Sequence, residues 1–118
     1  MKIKGLEYLL VGAEDVAETA ATWRDMLGLP ASEPCPPGTE CLALGNGVIR
    51  IVADTDHVGL LAIALEVEGL GELVTKLRQE GIAVSGPKAE DDGIAAEIEP
   101  ASAYGVPIRL IEHVEKRR

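Results

Sequence analysis

Tyr8–Leu27, YLLVGAEDVAETAATWRDML, returns as Ala62–Gly81, AIALEVEGLGELVTKLRQEG, at an offset of 54 residues (62 − 8). Each copy reads as a short apolar strand that runs into an amphipathic helix. Val16 answers Leu70, Ala20 answers Val74 and Trp23 answers Leu77, while Glu18 and Arg24 recur as Glu72 and Arg78. A repeat of this length is the mark of a duplicated supersecondary unit. Two such units imply a paired architecture with a cleft, which says where a site belongs but not what it does.

The local signals around the first copy are specific. Asp15 precedes Val16 and is followed three residues later by Glu18, a capping-box spacing that supplies an acceptor to orphan helix N–H groups and a carboxylate to the positive end of the dipole. The helix is expected to bury Val16, Ala20, Trp23 and Leu27 and to stop at Gly28, with Pro30 barring continuation. Residues 30 to 39 hold four prolines and a glycine and read as an irregular connection. Glu40 to Leu44 and Val48 to Ala53 form an expected hairpin closed by Gly45-Asn46-Gly47. In the second copy, Leu60 to Val67 is a strand, and Leu70, Leu73, Val74 and Leu77 line one helix face before Gly81. Ile82 to Val84, Ala95 to Ile98 and Pro107 to His113 read as further strands, with an acidic loop over Gly86 to Gly93, Asp91-Asp92-Gly93 in it being a turn, and another turn over Pro100 to Gly105. The order is β-α-β-β-β, twice.

Bulk properties narrow the partners. The chain has 118 residues, 47% hydrophobic and 26% charged, enough for one domain with a core. A net charge of −9 argues against nucleic acid and anionic membrane surfaces, which need a basic footprint. Lys116 to Arg118 are basic but read as a solvated tail. No run reaches the roughly 20 apolar residues of a membrane span. With no leader-like stretch at Ile3-Lys4-Gly5-Leu6, a cytosolic location is expected. Cys35 and Cys41 are separated by five residues, which suits neither a zinc knuckle nor a Cys-x-x-Cys pair, so two free thiols are expected in a reducing compartment. With no Phe, one Trp and two Tyr, no aromatic stacking platform is expected.

The sequence resembles the glyoxalase/vicinal-oxygen-chelate superfamily, most closely its methylmalonyl-CoA epimerase branch. Leu6 to Val16 and Trp23-Arg24-Asp25-Met26-Leu27-Gly28-Leu29 carry the resemblance at the start. Leu44-Gly45-Asn46 into Ile49-Arg50-Ile51, Ala62 to Val67, and Pro100 through Gly105 to Leu110 carry it further. It implies an α+β fold: two βαβββ modules, about 1–56 and 57–118, in one domain, forming a curved, cup-like mixed sheet with helices on the convex side. It also implies a possible homodimer. Family members that do chemistry hold a divalent metal with four side chains, and those positions fall here on Tyr8, Arg50, Ala62 and Arg109. Metal sites need imidazole, carboxylate or thiolate donors, and two permanent cations repel a metal ion. The expectation is no metal and no other cofactor.

Alternation gives the same geometry without any family. Ile49 and Ile51 flank Arg50, and Ile108 and Leu110 flank Arg109, so in each strand the apolar pair faces the helix and the arginine faces away. Leu6, Tyr8 and Leu10, and Ala62, Ala64 and Glu66, share that side. Two readings of Arg50 and Arg109 stand open: a guanidinium clamp on an anionic organic ligand, or pairing with internal acids such as Glu66, Glu97 or Glu40. Tyr8 either offers a hydroxyl to that ligand or fills space. Glu66 and Glu97 are the weak candidates for a general base, and Glu33 falls loosely where the epimerase branch has a catalytic acid. His57 belongs to an acidic turn and His113 ends the last strand, both expected to be solvated. Binding of a small anionic molecule in the cup is the leading functional expectation. The alternative is an isomerase or lyase, of methylmalonyl-CoA epimerase or lactoylglutathione lyase type, moving a proton beside a carbonyl.

Overall fold

The computed structural model describes residues 2–90 and 93–113. Asp91, Asp92 and the basic end Lys116 to Arg118 lie outside the described residues. The described elements are β1 (Lys2–Ala13), α1 (Val16–Leu27), β2 (Glu40–Leu44), β3 (Gly47–Ala53), β4 (Gly59–Glu68), α2 (Leu70–Gln79), β5 (Val84–Glu90), β6 (Gly93–Ile98), a 3-10 turn (Pro100–Ala103) and β7 (Ile108–His113). Parallel and antiparallel ladders occur together with the two α-helices, which is the expected α+β class. Two compact units divide the chain: residues 6–62, and the residues from 63 onward together with the first residues of the chain.

In the first unit, β1 pairs in parallel with β3, and β3 pairs antiparallel with β2 through the Gly45-Asn46 turn. Helix α1 starts as its capping box dictates: Asp15, in extended conformation, accepts from the Glu18 N–H at 3.0 Å. It ends at Gly28, whose φ of 67° is the left-handed geometry that spares glycine the Cβ penalty, with its N–H bonded to the Arg24 carbonyl at 2.8 Å. The core gathers Val11, Ala13, Ala20, Leu42, Ile49 and Ile51, with Leu9, Val16, Trp23 and Leu29 packed around them. Leu27 is not part of it, at 61% exposure. The left-handed turn at Gly28 swings the chain so that Leu29, not Leu27, returns to the core.

The connection after α1 keeps a remnant of the edge strand that the repeat calls for. Ala31 bridges Leu42, the Ser32 N–H donates to the Cys41 carbonyl at 2.9 Å, and the Ala43 N–H donates to the Pro30 carbonyl at 2.8 Å. Prolines shorten it to one bridge because they remove ladder donors. Cys35 and Cys41 are joined as a disulfide across this segment, correcting the expectation of two free thiols. The thiol reading rested on compartment rather than geometry. Here the edge remnant brings the two Cα atoms to 5.8 Å, within bridging range.

In the second unit, β4 pairs in parallel with β7, which continues antiparallel to β6 and then β5. The expected acidic loop after Gly86 is instead strand β5. Pro87 is tolerated because it sits at a register break between Ser85 and Lys88, where no ladder hydrogen bond is lost. Arg78 fastens that break to α2, donating from its guanidinium to the Val84 carbonyl at 2.9 Å and the Gly86 carbonyl at 2.7 Å. The core holds Val67, Leu70, Leu73, Val74, Val84, Ala96 and Leu110, with Leu77 beside them, the helix face expected from the sequence. Helix α2 has no side-chain cap of its own at Gly69; Glu112 of β7 supplies one, accepting from the Gly69 N–H at 2.9 Å and the Leu70 N–H at 3.1 Å. No helix among the described residues is long and apolar enough to cross a membrane.

Candidate functional site

Each arginine stands on the strand face that its helix does not cover. Ile49 and Ile51 enter the first core, so Arg50 between them points away; Ile108 and Leu110 enter the second core, so Arg109 does likewise. The two arginines then meet different neighbours within their own units.

Arg50 lies over Tyr8, its guanidinium carbon 4.2 Å from the ring centroid. Tyr8 is 6% exposed and forms a fixed floor. Such stacking favours a cation by about 0.5–2 kcal/mol while leaving the edge of the guanidinium fork, with its N–H donors, available to an acceptor. Among the described residues Arg50 makes no ion pair. Its cross-strand partner on β2 is Cys41.

Arg109 is engaged by internal acids. Its Nη2 donates to Glu90 Oε2 at 2.6 Å, and its Nε lies 3.2 Å from Glu97 Oε1. Glu97 is its register partner across β6 and β7, as the internal-acid reading allows. Glu90 was not foreseen, since it falls in the segment read as a loop; once β5 is a strand, its end approaches Arg109. Ser85, Lys88, Glu90, Glu97 and Arg109 line a small cavity of about 150 Å³.

The remaining candidates are dispersed. Glu66 pairs with Lys4 at 3.6 Å. Glu97 is 60% exposed and lies against Arg109. Glu33 is exposed in the connection, and Glu40, on the register partner of Ile51, belongs to the helix side of β2 and not to the side of Arg50. Asp54 Oδ1 accepts from the N–H groups of Asp56 and His57, a closed turn, with His57 at 76% exposure. His113 is exposed. A larger cavity of about 560 Å³ lies beside Trp23, Val58 and the α1 start, but Glu14, Asp15 and Glu18 on its wall make it hostile to anions.

Tyr8, Arg50, Ala62 and Arg109, the positions where the sequence resemblance implies metal ligands, do not suit a divalent ion. A phenol, a methyl group and two guanidinium groups provide no donor set for one. Among the described residues no group of three or more His, Cys, Asp or Glu side chains is arranged to hold a metal.

Comparison with known proteins gives fold without close sequence kinship. No family model matches the chain, and no curated protein sequence matches it. Solved structures do match. Methylmalonyl-CoA epimerase from Mycobacterium tuberculosis aligns with a TM-score of 0.74 at 21% identity, over 96% of this chain and 90% of that one. A hypothetical protein from Bacillus halodurans C-125 aligns at 0.72 and 18% identity, covering 96% of both chains. Streptomyces coelicolor methylmalonyl-CoA epimerase in complex with 2-nitronate-propionyl-CoA aligns at 0.67 and 12% identity, over 96% of this chain and 99% of that one. The chain therefore shares the fold of these solved structures nearly end to end.

Proposed function

We propose that this chain is a metal-free binding protein for a small anionic organic molecule, with Arg50 as the primary anchor and Tyr8 as its platform. The observation that carries this reading is the guanidinium group of Arg50, stacked on a buried ring and unpaired with any carboxylate among the described residues, in a chain of net charge −9. In so acidic a protein, an arginine kept from acids has its fork available for a carboxylate or phosphate. Arg109 is a second cationic position, guarded by Glu90 and Glu97. A solved neighbour of the same fold holds a CoA ester analogue, which supports an anionic organic ligand as the class. The setting we propose is a cytosolic homodimer with no nucleic-acid or membrane partner.

The test is a thermal-shift panel of carboxylates, phosphates and acyl-CoA thioesters. At least one class should raise Tm, and Arg50→Ala should abolish the shift while Arg109→Ala, whose guanidinium is already held by Glu90 and Glu97, leaves it in place. A flat response across the whole panel removes the proposal.

The epimerase fold of the solved neighbours supports a second reading, an isomerase or lyase acting beside a thioester or ketone carbonyl. Arginine charge would then stabilise the enolate, and Glu66 or Glu97 would carry the proton. Deuterium exchange into methylmalonyl-CoA, run with and without added divalent metal, tests it; no exchange under either condition rejects it.

A further inference from the structure

We infer that the small polar cavity beside Arg109 is a binding site for a short zwitterion, an amino acid of a few heavy atoms, whose carboxylate pairs with Lys88 and whose ammonium pairs with Glu90 and Glu97. The site lies wholly within the second unit and does not depend on the reading of Arg50.

Strand register gathers these side chains on one face. Ser85 is the partner of Glu97 and Glu97 of Arg109, Lys88 is the partner of Ala95, and Glu90 is the partner of Gly93. The alternate positions, Val84, Ala96 and Leu110, enter the core with α2, so the charged set faces the other way. The Glu90–Arg109 ion pair therefore runs diagonally, from the row of Gly93 to the row of Glu97, past the row of Ala95. Ala95 offers only a methyl group in that middle row. Beside it opens the cavity of about 150 Å³ that Lys88, Glu90, Glu97 and Arg109 line.

Charge selects the ligand. Lys88 and Arg109 bring two positive charges to the lining and Glu90 and Glu97 bring two negative ones, so the cavity is formally neutral. Arg109 is already matched: its Nη2 donates to Glu90 Oε2 at 2.6 Å, and its Nε lies 3.2 Å from Glu97 Oε1. Those contacts engage one oxygen of each acid. A carboxylate has about four acceptor positions, so both acids can take a further N–H donor. Lys88, exposed on β5, makes no ion pair among the described residues. A lone anion drawn to Lys88 meets the two acids, and a lone cation drawn to the acids meets Lys88 and Arg109. A zwitterion answers both signs at once and leaves the Arg109 pairs intact. Size sets the second limit. Liquid water takes about 30 Å³ per molecule, so 150 Å³ is the room of about five waters. That suits glycine or β-alanine and excludes an aromatic amino acid.

The experiment follows the backbone amides of the full chain by 1H–15N NMR while glycine, β-alanine, propionate or ethylamine is added. The two amino acids should shift the amides of Lys88, Ala95 and Glu97 to saturation. Propionate and ethylamine, each with one of the two charges, should bind about tenfold more weakly than β-alanine. Lys88→Gln and Glu97→Gln, both at exposed positions and checked for folding by circular dichroism, should each weaken β-alanine binding by about tenfold. No saturable shift with either amino acid overturns the site. Propionate or ethylamine binding as tightly as β-alanine overturns the zwitterion, and this comparison needs no variant. Unchanged β-alanine affinity in either folded variant overturns the assigned pairing.

Discussion

Glu97 and Arg109 face each other as register partners on β6 and β7, and Glu90 closes on the same guanidinium from β5. A cation held by two acids is neutralised in place, which is what separates Arg109 from Arg50. The acids are 47% and 60% exposed, so water screens each pair and its contribution is about 0–1 kcal/mol. Glu90→Gln should therefore lower stability only marginally in urea unfolding. The same substitution should create a phosphate-dependent Tm shift at Arg109 that Glu90→Gln/Arg109→Ala lacks; an unchanged response to phosphate rejects the guarding role.

Removal of the ring under Arg50 separates platform from anchor. Tyr8→Phe keeps the π face, and anion affinity should stay within about twofold; Tyr8→Leu forfeits the cation–π contact and should weaken binding by about three- to fivefold. Isothermal calorimetry with the best ligand of the panel decides. If Phe and Leu behave alike, the ring face is irrelevant.

Gly12 has no space for a side chain. A Cβ there would come within van der Waals overlap of the His57 carbonyl oxygen, backbone that cannot rotate aside. Gly12→Ala must displace the 54–59 turn, which the two N–H bonds to Asp54 hold closed. The expected cost is about 1–3 kcal/mol, read from the urea midpoint at constant m-value.

The start of α2 depends on Glu112, whose two carboxylate oxygens accept from the Gly69 and Leu70 N–H groups. Glu112→Ala strips both acceptors and should cost about 1–2 kcal/mol, with hydrogen exchange at the first turn of α2 accelerating ahead of the rest of the helix. Asp15→Ala in α1 serves as the local counterpart, expected to cost about 1 kcal/mol.

Contrasts of this kind explain what could be read from residues alone. Asp15, Glu18 and Gly28 act within one turn of one another, so the limits of α1 were legible, as were the Gly45-Asn46 hairpin and the flanking of each arginine by isoleucine or leucine. The α2 start at Leu70 follows Val16 at the repeat offset, yet its cap comes from β7, beyond the reach of any local pattern. Strand β5 was hidden because Pro87 normally speaks against a strand and only the register break excuses it. The disulfide was missed since its geometry is made by the Ala31–Leu42 bridge, a long-range pairing that prolines disguise as irregular chain. For the candidate site, the arginine positions followed from alternation, but their partners depend on which edge acid is held where, and that is tertiary information.

The sequence separation of 42 from Leu70 to Glu112 also imposes an order of events on synthesis. While a ribosome is still making β5, β6 and β7, the nascent α2 has its first amide groups open to water and nothing to anchor its entry. At about 5–20 residues per second that interval lasts roughly 2–8 s. The earlier half of the protein, whose helix carries its own Asp15 stopper, is spared the wait, so assembly should proceed from the beginning of the chain toward its end.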